Sequence, residues 1–155
     1  MADIFDEFQN LIKKLNAGRI DYAICGGWAV AIHGAPRATV DIDLLVTSEN
    51  LEQVWKIAED LGYWVEGLPL SFDDGIIEIR RISKIDRDSK TLFTIDILLV
   101  TEGLKQVWET RENIDFEADK VWTISREGLI FMKQLSGRHK DLGDIESLME
   151  LENES

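Results

Sequence analysis

The chain has 155 residues, 45% hydrophobic and 30% charged, and its 30 acids against 17 bases leave a net charge of −13. That length suits one domain with a single core, and no apolar run approaches the roughly 20 residues needed to span a bilayer. Proteins that grip nucleic acid chiefly through phosphates carry basic surfaces, so bulk nucleic-acid binding is disfavoured, and a cationic small molecule or basic protein suits this surface better.

Asp3, Asp6 and Glu7 make the N-terminus acidic, unlike a secretory signal. Residues 3–16 predict an amphipathic helix, with Ile4, Phe5, Phe8, Leu11, Ile12 and Leu15 at helical spacing and Gly18 as its stop. Residues 20–24 predict a first strand, followed by Cys25. This lone cysteine has no partner for an internal disulfide and reads as a packing thiol rather than a nucleophile. A cytoplasmic protein is expected. Residues 28–33 predict a short helix ended by Gly34 and Pro36, and residues 40–46 a strand. Ser48 is expected to cap a helix reaching about Leu61, buried through Leu51, Val54, Trp55, Ala58 and Leu61. A short strand at 63–65 leads to a loop at 67–75, marked by Pro69, Asp73 and Asp74, with Trp64 beside it as a candidate pocket wall.

Residues 76–83 and 91–100 predict consecutive antiparallel strands joined by a polar turn at 86–90. Arg80, Arg81, Lys84 and Arg87 make a local basic patch here. A helix at 104–111 and a last short strand at 120–124 follow. Ser125 is expected to cap a helix carrying Leu129, Ile130, Met132 and Leu135, with Gly137 as its end and a closing helix at 141–151. The pattern predicts an α/β fold, a short mixed β-sheet flanked by α-helices, as one domain over residues 1–155 with the helices of about 125–151 packed on it.

The stretch from Gly26 to Asp43 carries the chemistry. Asp41 and Asp43 lie two apart, so on a strand both point to one face, roughly 7 Å apart at Cα. Val40, Ile42, Leu44 and Val46 take the other face. Paired carboxylates on an apolar strand repel each other unless a cation sits between them, and magnesium is the hard cation that prefers such ligands. The plain alternative is a pair of aspartates capping loops or meeting lysines. Asp96 interrupts the apolar run 91–100, and Phe93, Ile95, Ile97 and Leu99 leave it beside Thr94 on the opposite face. If strands 40–46 and 91–100 pair, the three carboxylates converge. Gly26 and Gly27 serve either as a tight strand-to-helix turn or as a close approach to phosphates. If the strand begins that early, Arg37 and Thr39 share the face of Asp41 and Asp43 by alternation, Arg37 as nucleotide contact or as counter-charge. His33 reads as a packed or capping histidine.

The ordered set of Gly26-Gly27, Arg37-x-Thr39-x-Asp41-x-Asp43 and a distant strand aspartate, Asp96, resembles the DNA polymerase β-type nucleotidyltransferase superfamily. Within it, the chain is similar to AbiEii-type toxins and minimal nucleotidyltransferases. The tail from Gly128 through Lys133, Arg138, Lys140, Asp141 and Asp144 is similar to that group's helix–Arg-x-Lys-Asp–helix ending. Where many active members carry serine after the glycine pair, this chain has Trp28. The resemblance implies a nucleotidyltransferase fold and a metal-dependent transfer of a nucleoside monophosphate from a triphosphate to an acceptor hydroxyl. It implies Mg²⁺ or Mn²⁺ held by Asp41, Asp43 and Asp96, the same three acting in catalysis. Gly26, Gly27, Arg37, Thr39 and Lys133 would bind the nucleotide, Lys133 neutralising the triphosphate if it does not extend to solvent. The acceptor would be a small molecule or protein, with a small helical protein partner or a second copy completing the pocket. The alternative is a catalytically idle binding module, such as one component of a toxin–antitoxin pair.

Overall fold

Asp3 opens the first helix by accepting a hydrogen bond from the Asp6 backbone N–H at 2.9 Å. The computed structural model describes residues 3–35, 39–136 and Met149. Helix α1 (Ile4–Ala17) turns Phe8, Leu11, Ile12 and Leu15 into the core, as their spacing predicts. Strand β1 (Ala23–Cys25) is buried throughout and runs straight into α2 (Gly26–Ile32), which starts at the glycine pair itself. Strand β2 (Asp41–Val46) follows, then helix α3 (Leu51–Asp60). Ser48 starts a 3₁₀ turn at Ser48–Asn50 instead of capping α3, and α3 has no side-chain cap.

The predicted loop at 67–75 is largely ordered structure. After β3 (Val65–Glu66), residues Leu70–Phe72 form β4, and Asp73–Gly75 a 3₁₀ turn. Strand β4 pairs with β5 (Ile77–Asp86) as Leu70↔Ile79 and Phe72↔Ile77. Strand β6 (Thr91–Leu99) pairs with β5 in the predicted hairpin. A 3₁₀ turn at Glu102–Leu104 and α4 (Lys105–Glu109) occupy the expected helix, and an unpredicted strand β7 (Glu112–Phe116) pairs with β8 (Asp119–Thr123). Ser125 caps α5 (Arg126–Ser136) as expected, its hydroxyl accepting from the Gly128 N–H at 3.0 Å. Gly137 and the closing helix expected at 141–151 fall on residues outside those described, Met149 excepted.

The strands form one mixed sheet in the order β3-β5-β6-β2-β1-β8-β7, with β4 beside β5. The central strand β2 lies antiparallel to β1 and parallel to β6. Ile42, Leu44, Ile82, Ile95 and Ile97 are fully buried, and α3 packs against β6 on that side. Glu7 on α1 is buried there too. It accepts from the Tyr63 hydroxyl at 2.7 Å and meets Lys84 Nζ at 2.9 Å, while Lys84 also donates to the Leu61 carbonyl at 2.8 Å. These bonds tie α1, the end of α3 and β5 together, and satisfy a carboxylate that burial would otherwise penalise. Three members of the basic patch are thus drawn apart: Lys84 meets Glu7, Arg80 meets Glu78 at 4.0 Å, and Arg81 points to the other face.

Tyr22 is fully buried, its hydroxyl donating to Asn16 Oδ1 at 3.0 Å and accepting from the Trp122 N–H at 3.3 Å. Burial pushes its pKa up from 10.0 to about 12. Tyr63 is also raised, by burial and then by its bond to Glu7. A folded pKa above the unfolded one means that this stabilisation is complete below the unfolded value and vanishes as pH rises through the folded one. Denaturant midpoints should therefore fall steeply above pH ~10, Tyr22 alone accounting for about 2–3 kcal/mol by pH 12. Tyr22→Phe should flatten that slope. An equally steep fall in the variant would clear the Tyr22 hydroxyl of responsibility.

Candidate active site

Register brings the acidic residues together. In the parallel β2·β6 ladder Asp43 lies across from Asp96 and Asp41 across from Thr94, and in the β5·β6 hairpin Arg81 lies across from Asp96. Side chains at paired positions share a face, so Asp41, Asp43, Asp96 and Arg81 project together, as alternation predicts for the three aspartates. They line a cavity of about 490 Å³. The β1–α2 turn brings Gly26 and Gly27 to its edge, and Thr39 lies on it next to Asp41. Leu70, Phe72, Ile77 and Ile79 form an apolar wall, and Leu129, Met132 and Lys133 of α5 close the opposite side.

Gly26 is required by the close approach. Its φ is +64°, and a Cβ there would collide with the Asp43 carboxylate, standing 2.8 Å from Asp43 Cγ. The glycine lets the chain leave β1 and turn into α2 directly beside the acid. Thr39 shapes the entry to β2, donating its hydroxyl to the Asp41 carbonyl at 3.1 Å. Lys133 is 7% exposed and turned to the cavity rather than to solvent. Cys25, across from Asp43 in the register, is held well above its ordinary pKa by burial first and then by the Asp43 charge, with Lys133 pulling the other way. It is fully buried at the end of β1 and packs in the core.

Asp96 does not stand alone in its strand. Arg81 Nε donates to Asp96 Oδ1 at 2.7 Å and Nη2 to Oδ2 at 3.0 Å, a bidentate fork. This bond raises the Arg81 pKa most, and the fields of Asp41 and Asp43 raise it further. Arg81 was legible in the sequence only as part of a surface patch. Among the described residues, no three His, Cys, Asp or Glu side chains lie close enough together to hold a metal ion as they stand. The donor chemistry nevertheless suits a hard divalent cation, since Asp41, Asp43 and Asp96 all carry carboxylate oxygens on one face of the sheet.

Other candidates fall elsewhere. Trp28 faces the core, 6% exposed and stacked on Phe8 at 4.1 Å between ring centroids. Trp64 is 69% exposed and off the cavity, whose aromatic wall is Phe72 from the unpredicted strand β4. His33 Nε2–H donates to the Ile124 carbonyl at 2.7 Å, the structural role expected. Arg37, Arg138, Lys140, Asp141 and Asp144 lie outside the described residues.

A family model described as a nucleotidyltransferase of unknown function (DUF6036) matches residues 1–152. The chain belongs to that family. This DUF6036 nucleotidyltransferase matches no curated protein in sequence. Among solved structures it is similar to the Thermotoga maritima protein TM1012, at 15% identity and a TM-score of 0.62 over 97% of this chain and 93% of that one. It is also similar to the lincosamide antibiotic adenylyltransferase LnuA in its lincomycin-bound form, at 16% identity and TM-score 0.62 over 94% and 96%. A third is ANT(2″)-Ia in complex with adenylyl-2″-tobramycin, at 17% identity and TM-score 0.62 over 94% and 92%. Likeness at such identities is likeness of fold: the mixed sheet with flanking helices is a nucleotidyltransferase fold. Among the described residues no helix is long and apolar enough to cross a membrane.

Proposed function

We propose that this nucleotidyltransferase moves a nucleoside monophosphate, AMP first among the candidates, from its triphosphate to a hydroxyl of a small-molecule acceptor. The observation that carries the reading is the alignment of Asp41, Asp43 and Asp96 on one face of β2 and β6, beside the Gly26–Gly27 turn and inside one cavity. Asp41 and Asp43 would hold the divalent cation, Mg²⁺ or Mn²⁺, and Asp96 would join them. When bound, that ion neutralises triphosphate charge and eases deprotonation of the acceptor. Lys133 adds positive charge from α5, Thr39 sets the backbone that presents Asp41, and the glycine turn keeps the backbone close to the phosphates. Asp96 takes the proton of the acceptor hydroxyl. The freed oxygen attacks the α-phosphorus, the bond to the bridging oxygen breaks, and pyrophosphate leaves.

The acceptor faces Leu70, Phe72 and Ile79 on one side and carboxylates on the other. That lining, with the net charge of −13, favours an amphipathic or cationic small molecule over nucleic acid. The antibiotic ligands of LnuA and ANT(2″)-Ia support the same class. A cytoplasmic setting, where triphosphates are held, fits this substrate. The second reading, a catalytically idle module within a toxin–antitoxin pair, draws on one observation, that Arg81 already occupies both Asp96 oxygens.

Incubation with each nucleoside triphosphate, Mg²⁺ and hydroxyl-bearing aminoglycosides or lincosamides, with mass detection of the adduct, separates the two. Binding is tested first. Saturating Mg²⁺ with the correct triphosphate should raise the melting temperature on the order of 5–10 °C, because only the folded state binds it. No shift with either metal and all four nucleotides at millimolar concentration removes the enzyme reading. A shift with no adduct from any acceptor favours the idle module.

A further inference from the structure

The two partners in the Arg81–Asp96 fork differ in freedom. The Asp96 side chain is 8% exposed and fixed in the middle of β6, whereas the Arg81 side chain is 44% exposed and reaches into the cavity from β5. The pair can therefore separate only by Arg81 moving. The same guanidinium lies in the field of Asp41 and Asp43, so its charge bears on all three carboxylates. A divalent ion arriving at these acids meets a like charge at close range, where repulsion in a partly desolvated cleft is strong. Arginine's planar fork matches phosphate as well as it matches carboxylate.

We infer that Arg81 trades places with the metal: it holds Asp96 while no nucleotide is bound, and turns onto the triphosphate when the metal–nucleotide complex arrives. This rests on the nucleotidyltransferase reading above. Metal alone must expel a guanidinium that has no new partner, so it binds weakly. Nucleotide supplies that partner and releases Asp96 to the metal. The two ligands thus assist each other through one side chain, and Asp96 becomes competent only when the substrate is in place. Arg81 is in this sense a positioning residue for Asp96 and a contact for the phosphates.

The test measures two affinities on the full chain, Mn²⁺ without nucleotide and α,β-methylene-ATP with Mg²⁺, for wild type, Arg81→Gln, Arg81→Lys and Asp43→Asn. Arg81→Gln should bind Mn²⁺ about fivefold tighter or more, and the nucleotide analogue weaker by a similar factor. Arg81→Lys, which keeps the charge without the fork, should fall between in both. A merely structural ion pair would lower the melting temperature alone, and an Arg81 acting by charge alone would leave Arg81→Lys at wild-type values in both affinities. Unchanged or weaker Mn²⁺ binding in Arg81→Gln, or unchanged or tighter analogue binding, overturns the exchange. If Arg81→Gln fails to fold, Arg81→Lys decides by the same signs. Asp43→Asn tells the two failures apart. Loss of Mn²⁺ binding there, with no effect at Arg81, leaves the metal centre standing and removes the exchange, while no Mn²⁺ binding in either wild type or Arg81→Gln removes both.

Discussion

Asp43→Asn should cut nucleotidyl transfer by at least about 10²-fold while leaving the protein as stable as wild type or slightly more so. Asp43 lies between Cys25 on β1 and Asp96 on β6, at the point where the proposed metal and the reacting phosphate meet. Asparagine keeps the shape and hydrogen-bonding reach of the side chain but removes the charge that a hard cation requires. It also relieves repulsion with Asp41 and Asp96 on the same face, which offsets part of what Arg81 loses. Single-turnover transfer by mass detection, with a denaturant midpoint on the same sample, gives both numbers. Unfolding of Asp43→Asn would mark the aspartate as structural and sink its assignment to the metal.

Gly26→Ala should be the most damaging small substitution in the site. Two penalties add there. A non-glycine residue at φ +64° is strained, by about 1–2 kcal/mol, and the new methyl group would overlap the Asp43 carboxylate, at a further cost of roughly 1–3 kcal/mol. Gly62→Ala isolates the first, because Gly62 has φ +94° but its nearest contact would be Lys84 Cδ at a comfortable 3.7 Å. The excess of Gly26→Ala over Gly62→Ala, read from denaturant midpoints, measures the collision. Only Gly26→Ala should also abolish metal and nucleotide binding, since the methyl group displaces Asp43. Equal stability losses in the two variants, with binding retained, would refute the close approach.

Much of this architecture follows from local pattern. The helical spacing of Phe8, Leu11, Ile12 and Leu15 and the alternation of 40–46 and 91–100 set which side chains face the core, whatever the neighbours. Weakly patterned segments were not legible. Strand β4 holds only Leu70 to Phe72 between Pro69 and two aspartates, and β7 reads Glu112-Asn113-Ile114-Asp115-Phe116 with little apolar signal. Both exist as strands because β5 and β8 offer backbone groups to pair with, which their own residues do not announce. Trp64 is placed the same way: its backbone N–H pairs with the Ser83 carbonyl of β5, beside β3, and its ring stays exposed.

The sequence by itself determined the helices with strong stripes, the two central strands, and the shared face of Asp41 and Asp43, because a period of two is a property of any extended chain. It also determined that Asp96 opposes the apolar face of its own strand. Only the tertiary structure decided which strands are neighbours, and hence that Asp43 meets Asp96 across nonlocal, parallel pairing. Arg81 shows how narrow the margin is. A turn over 86–90 would set Arg80 opposite Asp96, whereas the actual pairing of Asp86 with Thr91 sets Arg81 there. A one-residue slip in register sends every side chain to the other face, and register is fixed by the buried isoleucines of both strands packing together, not by the residues of the turn.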